Sequence, residues 1–158
     1  MSEAPARRFT LLYQLYLTSQ ASRQFMKLAL AEADLNGEEY ALCSYLYGNG
    51  PRTLTQTARD LGLPITTVAT LFAPLIEAGD VARSAHPTDG RARLLALSEA
   101  GSERLERAIP AFTTAYRSLL EQLRVAGVDS DQLFNALAEL RTGIDATNRL
   151  LAVEAPRT

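Results

Sequence analysis

Apolar residues recur at helical spacing along most of the chain, and short polar breaks divide the pattern into separate elements. The first stretch, 8–33, has no proline or glycine and carries apolar residues such as Leu12 and Met26 among polar ones, which predicts a long helix. The sequence LNGEE breaks this pattern. A second, shorter helix is predicted over 38–47, before the sequence GNGP stops it.

Two short predicted helices follow, with a tight break between them. Thr53 precedes Gln56 by three residues, which is the spacing of a capping box and predicts a helix over 54–61 that ends at Gly62. The run LPITTVATLFAPLIEAG predicts the second helix over 65–78, with its apolar residues on one buried face. Two short helices joined in this way have the organisation of a helix-turn-helix.

After these helices the pattern changes to the two-residue period of strands. The sequences DVARSAH and RARLLAL are short enough for strands, and between them Asp89-Gly90 predicts a tight turn because glycine tolerates a positive φ. In an extended strand Arg91 and Arg93 share one face with the leucines at 95 and 97. The predicted hairpin therefore has an apolar base and a basic tip.

Two long helices are predicted to complete the chain. The first, over 99–125, starts after Ser98 as its N-cap, and Pro110 is expected to bend or interrupt it. The second is capped by Ser130 or Asp131 and continues to about residue 153. Both carry apolar residues at heptad spacing. Because the long helices at the two ends of the chain exceed what the compact middle needs, we expect them to form a dimer interface.

Composition narrows the class of protein. The 158 residues are 47% apolar and 22% charged, with a net charge of −2, which is typical of one globular domain or a domain with extensions. No apolar run reaches transmembrane length, and the N-terminus lacks the pattern of a signal peptide. We therefore expect a cytoplasmic protein with no membrane partner.

Candidate catalytic and metal-binding residues are few. The chain has one cysteine, Cys43, and one histidine, His86, so neither an internal disulfide nor a clustered metal site is expected. Cys43 lies in an apolar stretch, which favours a buried thiol over the alternative of a redox sensor. The sequence also lacks a glycine-rich phosphate loop and a nucleophile elbow, so we expect neither an enzyme nor a cofactor.

Two motifs within 50–101 carry a resemblance to a known family. Asp89-Gly90-Arg91 followed by LLALSEAG is similar to the Asp-x-Arg wing and the Leu-Thr-x-x-Gly helix start of the MarR family of bacterial transcriptional regulators. LIEAGDV is similar to that family's link from recognition helix to wing. The long terminal helices extend the resemblance over nearly the whole chain. The implied fold is mainly α with a small β-hairpin: a dimerisation helix at 1–34, a winged helix-turn-helix at 35–98, and a linking helix with a C-terminal dimerisation helix at 99–158.

The resemblance implies a homodimeric regulator, in the simplest case a repressor, on a pseudo-palindromic operator in double-stranded DNA. Each recognition helix would enter the major groove and each wing the minor groove, with half-sites about 34–36 Å apart. Arg91 would then be the minor-groove residue, Asp89 would fix the wing tip or orient Arg91, and other arginines would contact phosphates. The implied DNA-binding residues are Arg52, Thr53, Gln56, Thr66, Thr67, Thr70, Arg83, Asp89, Arg91 and Arg93.

The presumed recognition helix, 65–78, departs from the family because it contains no lysine or arginine. Its polar candidates are Thr66, Thr67 and Thr70, whose hydroxyls can reach phosphates and whose methyl groups can pack on thymine methyls. One alternative is therefore a winged-helix dimer with weak or lost DNA binding that binds a ligand or a protein. Another is that the arginines form an ordinary solvated hairpin tip.

Five tyrosines are candidate contacts of a small aromatic effector. The resemblance implies such a ligand between the dimer region and the winged helix, where tyrosines would supply an apolar wall with a few hydroxyl groups. The alternative is that these rings pack in the core and at interfaces. The candidates are Tyr13, Tyr16, Tyr40, Tyr45 and Tyr47.

Overall fold

The computed structural model describes residues 4–154 and confirms a mainly helical fold with a small antiparallel sheet. The elements in chain order are α1 (Ala4–Ala29), α2 (Gly37–Asn49), β1 (Arg52–Thr53), α3 (Leu54–Leu61), α4 (Ile65–Glu77), β2 (Val81–Ala85), β3 (Arg93–Leu97), α5 (Glu99–Val125) and α6 (Ser130–Glu154). The chain forms two compact units, which divide between Thr114 and Ala115, inside α5. Within 4–154 no single helix is both long and apolar enough to span a membrane, and α3 and α4 meet that criterion only as a bent pair.

The first two helices differ from their predicted bounds at the turn that joins them. α1 starts earlier than predicted, because Pro5 is tolerated in a first helical turn, and it ends at Ala29 rather than at 33. Asn36 caps α2: its side chain accepts the N–H groups of Glu38 and Glu39 at 2.9 and 3.0 Å. The Asn36 N–H in turn donates to the Glu39 carboxylate at 3.0 Å, which completes a capping box.

One antiparallel sheet is formed by the described strands, in the order β1-β3-β2. The hairpin register pairs Ala85 of β2 with Arg93 of β3 at the outer end. The residue pattern does not predict β1, because a strand of two residues is too short to show an alternation. β1 nevertheless pairs Arg52 with Leu95, and this ties the start of α3 to the hairpin.

The core of the first unit lies between α2, α4, α5 and the sheet. Val68, Phe72 and Leu75 form the buried face of α4 and belong to the same cluster as Leu95 of β3 and Leu105 of α5. The sequence pattern assigns Val68, Leu71 and Leu75 to this face. Val68 and Leu75 are buried as predicted, whereas Leu71 is only partly buried and Phe72 is buried instead. Because one side of α4 is fixed against this core, the opposite side is left for contacts outside the unit.

A buried threonine, a buried thiol and one glycine shape this core. The Thr57 hydroxyl donates to the carbonyl oxygen one turn earlier at 3.0 Å, and Cys43 is a buried thiol, as expected. Gly101 brings α5 against the turn after α4: a β-carbon there would overlap the Asp80 carbonyl oxygen and lie 2.8 Å from the carbonyl carbon. Ser98, the predicted N-cap of α5, accepts the Gly101 N–H at 3.0 Å.

The second unit consists of the C-terminal part of α5 together with α6. Asp129 closes the turn between them, since its side chain accepts the Gln132 N–H at 2.8 Å, so the predicted caps Ser130 and Asp131 are wrong by one or two residues. α5 is continuous at Pro110, in the first unit, so this proline does not interrupt the helix. α6 carries large apolar side chains that are at least 38% exposed, namely Leu133, Phe134, Leu137, Ile144, Leu150 and Leu151.

Candidate nucleic-acid interface

α3 and α4 form the predicted helix-turn-helix. Thr53 is the N-cap of α3: its hydroxyl accepts the Gln56 N–H at 3.1 Å, and its own N–H donates to the Gln56 side chain at 2.9 Å. Both side chains of this pair are therefore engaged in capping. Gly62 has a φ of +68°, which only glycine adopts readily, and the chain turns there into α4. The two helices meet at 112°, inside the range of about 90–120° for this motif.

The first two turns of α4 turn an uncharged face to solvent. Its first turn exposes Ile65, Thr66 and Thr67, and the next turn exposes Thr70, whose hydroxyl donates to the Thr66 carbonyl oxygen at 3.0 Å. Pro64 stands at the N-cap and supplies no side-chain hydrogen bond. The N–H groups of the first turn therefore stay open to an anion such as a phosphate.

The tip of the wing is a loop, 86–92, that side chains hold in place. The predicted tight turn at Asp89-Gly90 is present, since the Ala92 N–H donates to the Asp89 carbonyl oxygen at 3.1 Å, but it lies within a longer loop and Gly90 does not have the expected positive φ. The Asp89 carboxylate also accepts the Arg91 N–H at 3.0 Å. The Arg93 guanidinium donates to the Gly90 carbonyl oxygen at 3.2 Å. Asp89 therefore shapes the wing tip, which is one of the roles expected of it, whereas Arg93 was expected to contact DNA and is instead engaged within the loop.

His86 is a further part of the wing tip, to which the sequence pattern assigns no role. Its Nδ1 accepts the Asp89 N–H at 3.2 Å. A single histidine in a polar loop has no distinguishing neighbours in sequence, and only the folded loop shows what it contacts.

The arginines predicted to contact DNA divide into engaged and free groups. Arg93 closes the wing loop, and Arg52 lies with its Nε 3.9 Å from the Asp60 carboxylate of α3. Arg83 and Arg91 are exposed, and within the described part of the chain neither guanidinium has a hydrogen-bond or ion-pair partner. These two arginines are therefore the ones available to a partner of opposite charge.

Arg104 of α5 joins three carboxylates, a cluster that the sequence pattern does not indicate. Its guanidinium donates to the buried side chain of Asp80, in the turn between α4 and β2, and reaches Glu39 and Asp34 at 3.5 Å. Burial opposes the charged form of Arg104, but the hydrogen bond and charge of Asp80 together with the other two carboxylates raise its pKa. Arg104 thus connects the base of the wing with α2.

A groove of about 1040 Å³ lies next to Arg104, which forms part of its wall. It runs between the C-terminal half of α1, the turn after it and the start of α2. Its walls combine apolar side chains such as Met26 and Leu30 with three basic and three acidic side chains, which include Lys27, Arg104 and Asp34. An apolar lining with a few charged groups suits a small ligand that carries charge.

None of the five tyrosines predicted as effector contacts lines this groove. Tyr13, Tyr16 and Tyr47 are each more than half exposed. Tyr40 is buried with its ring 4.5 Å from that of Phe112, centroid to centroid, which is the packing alternative. The Tyr45 hydroxyl donates to the Asp60 carboxylate at 2.7 Å. The tyrosines are dispersed over several surroundings and do not form the wall of this groove.

Solved structures of other proteins are similar to this chain. No family model matches it, and no curated protein matches it either. Among solved structures, it is similar to a mutant of MarR from E. coli complexed with operator DNA, with a TM-score of 0.71, 15% identity, and coverage of 89% of this chain and 98% of that one.

Two further solved structures extend the similarity. A probable transcriptional regulator from Pseudomonas aeruginosa shares 27% identity at a TM-score of 0.63, covering 79% of this chain and 94% of that one. Bordetella bronchiseptica BpsR, whose DNA binding is regulated by 6-hydroxynicotinic acid, shares 18% identity at a TM-score of 0.66, covering 84% and 91%. The matches define the chain as a winged helix-turn-helix with long terminal helices. The resemblance to the MarR family is confirmed at the level of this fold.

Proposed function

We propose that this protein is a dimeric transcriptional regulator that binds double-stranded DNA in a sequence-specific way, as a ligand-responsive repressor. The observation that carries the proposal is the pair of free, exposed arginines, Arg83 and Arg91, on a wing next to a helix-turn-helix. The similarity to MarR in complex with operator DNA supports the same function.

The charge of the wing supports a DNA partner although the whole chain is slightly acidic. Between Arg83 and Arg93 the wing carries three arginines against one acidic residue, Asp89. Asp89 faces its own loop through the Arg91 N–H, so the negative charge is used inside the tip. An arginine at such a tip is attracted by the enhanced negative potential of a narrow minor groove.

The first turn of α4 supports a phosphate contact beside the wing. Its N–H groups lack a side-chain cap, and the adjacent hydroxyls of Thr66 and Thr67 are exposed. A helix N-terminus with open amides attracts phosphate oxygens through both hydrogen bonds and the helix dipole. Such contacts would set the position of α4 on the duplex without selecting a base.

Exposed apolar side chains on the terminal helices support a homodimer. α1 exposes leucines and tyrosines at 11–17, and α6 exposes Phe134 at 72%. Surfaces of this kind indicate a partner, and a second copy gives the two-fold symmetry that a pseudo-palindromic operator requires. Phe134→Glu should convert the dimer into monomers in sedimentation experiments, whereas the change of its polar neighbour, Asn135→Glu, should not. Monomeric wild-type protein at all concentrations would contradict the dimer.

The groove next to Arg104 is the proposed effector site, in place of the tyrosines. A ligand there would compete for Arg104 and so act on Asp80, at the base of the wing. It can change DNA affinity only if it binds the two states of the protein differently. We expect 6-hydroxynicotinic acid, the acid named for BpsR, to weaken DNA binding by wild type but not by Ala41→Trp, which fills the groove. Equal responses of both proteins would place the effector elsewhere.

The function is tested with Arg91→Ala on duplex DNA from upstream of the protein's own gene, in a salt series. Loss of one hydrogen bond to a charged group in each wing predicts binding weaker by about tenfold per wing. Arg83→Ala should reduce the number of counterions released on DNA binding by about one per wing, which is read from the dependence of affinity on salt. Arg107→Ala is the control, because it removes the same charge from an exposed position of α5 outside the motif.

One rival function remains specific enough to name. A winged-helix dimer that binds a ligand or a protein, with weak or lost DNA binding, would explain the uncharged face of α4. It leaves the free guanidinium of Arg91 and the closed tip around it without a purpose. If wild type binds this duplex no better than a random duplex, the rival is favoured. If Arg91→Ala binds it as tightly as wild type and Arg107→Ala do, the wing assignment fails.

A further inference from the structure

The face that α4 offers to DNA restricts how it can distinguish bases. The segment 63–76 contains no lysine, arginine, histidine, asparagine or glutamine. The two-bond contacts that identify guanine and adenine in the major groove come from those side chains, so α4 cannot form them. Sequence selection by α4 therefore has to use another property of the base edges.

The exposed end of α4 is instead apolar. Ile65 is 47% exposed and Leu63, just before the helix, is 38% exposed. Thr66 and Thr67 add two exposed methyl groups. The Thr70 hydroxyl donates inward to the Thr66 carbonyl oxygen, so its proton is not available to a base. The atoms left to meet the duplex at this end are mainly methyl and methylene groups.

We propose that α4 selects its operator through the 5-methyl groups of thymine, with Ile65, Thr66 and Thr67 as the specificity-determining residues. The inference rests on the proposed function and names the chemistry of its recognition. Thymine carries the one apolar group on a base edge in the major groove. Phosphates held at the open first-turn amides bring the same end of α4 onto the duplex, so the apolar residues face the bases.

The energetics favour several methyl contacts acting together. Burial of one methyl-sized apolar group changes affinity by roughly fourfold. Two such contacts in each half-site of a dimer would multiply to a factor of about 10². Operators of this protein should therefore contain thymine at fixed positions under α4, and the wing arginines should read the flanking minor groove independently.

The test begins with selection of duplexes from a random library by the full-length wild-type protein. Thymines enriched at fixed positions are then replaced by deoxyuridine, which lacks only the 5-methyl group. The methyl group lies in the major groove, so atoms in the minor groove stay unchanged. We expect roughly fourfold weaker binding for each methyl removed from a contact position, and no loss for thymines elsewhere in the duplex.

Two substitutions at one exposed position provide the matched control. Thr67→Ser removes the methyl group and keeps the hydroxyl, whereas Thr67→Val keeps methyl groups and removes the hydroxyl. We expect Thr67→Ser to lose part of its response to deoxyuridine, whereas Thr67→Val keeps that response, because it loses only the contact of the hydroxyl with phosphate. Because Thr67 is exposed, neither change should affect folding.

The outcomes separate this inference from the function on which it rests. A selected sequence whose binding does not change with deoxyuridine overturns the methyl readout and leaves sequence-specific DNA binding intact. Loss of the deoxyuridine response with Thr67→Val but not with Thr67→Ser also overturns it, because the methyl group of Thr67 would then not carry the contact with thymine. If the selection enriches no sequence at all, the proposed function itself is overturned, and the inference with it.

Discussion

Replacing Gly101 by alanine should destabilise the protein, although a glycine-to-alanine change inside a helix usually stabilises it. Helix propensity alone favours alanine by about 1 kcal/mol. In this structure, however, the new β-carbon would overlap the Asp80 carbonyl oxygen and lie 3.0 Å from the Asp80 Cα. That oxygen also accepts the Ser98 N–H at 2.9 Å, so it cannot move without weakening a hydrogen bond.

The magnitude follows from these opposing contributions. Overpacking costs about 1–3 kcal/mol. The weakened Ser98 contact adds about 1 kcal/mol. After subtraction of the propensity gain, Gly101→Ala should lower the free energy of unfolding by about 1–3 kcal/mol. Gly143→Ala is the control: at this position in α6 a new β-carbon would have no neighbouring atom of the described residues within 4 Å, so the change should stabilise the protein.

Urea unfolding followed by far-ultraviolet circular dichroism measures both variants, at equal protomer concentration because a dimer's stability depends on it. The reasoning predicts a lower midpoint for Gly101→Ala and a higher one for Gly143→Ala. If Gly101→Ala unfolds at the same urea concentration as wild type or above it, the close approach of α5 to the turn after α4 is refuted.

Three further predictions concern buried or capping groups. Arg104→Met should cost about 3–5 kcal/mol in urea unfolding, because it leaves the Asp80 carboxylate buried without its cation, and Asp80→Asn in the same chain should restore part of it. Thr53→Ala should cost about 1 kcal/mol through loss of the α3 cap. Burial, with the charge of Asp80, raises the pKa of Cys43 to about 11, so its stabilising contribution is complete below pH 9.0 and lost as the pH rises through about 11. The midpoint in urea should therefore fall over that interval, and fall less in Cys43→Ala, where the remaining decrease comes from tyrosines with raised pKa values such as Tyr40.

The local part of the fold could be predicted because its signals lie close together in sequence. Thr53 and Gln56 are three residues apart, and the φ of +68° at Gly62 is one that glycine alone adopts readily. The same kind of signal was available for α2, where Asn36 precedes Glu39 at the spacing of a capping box. Capping and helix ends depend on neighbours in the chain, so the order of residues is enough to find them.

Other features depend on contacts between distant residues, for which the pattern has no signal. Arg104 and Asp80 are 24 positions apart, and nothing near either one indicates the other. β1 exists only because Arg52 meets Leu95 across the sheet. The wing loop is also longer than the predicted turn at Asp89-Gly90, and the Arg93 guanidinium helps to close it by donating to the Gly90 carbonyl oxygen. The sequence pattern predicts which residues lie on the wing but not which of them are free.

The most direct test of DNA recognition compares the affinity of the protein for duplex from upstream of its own gene with its affinity for a scrambled duplex of equal composition. Both are measured at an ionic strength of about 0.15 M. Specific regulators bind their sites at least about 10³-fold more tightly than other DNA, and we predict a ratio of that order. Equal affinity for the two duplexes would contradict the assignment of this winged helix as a sequence-specific regulator.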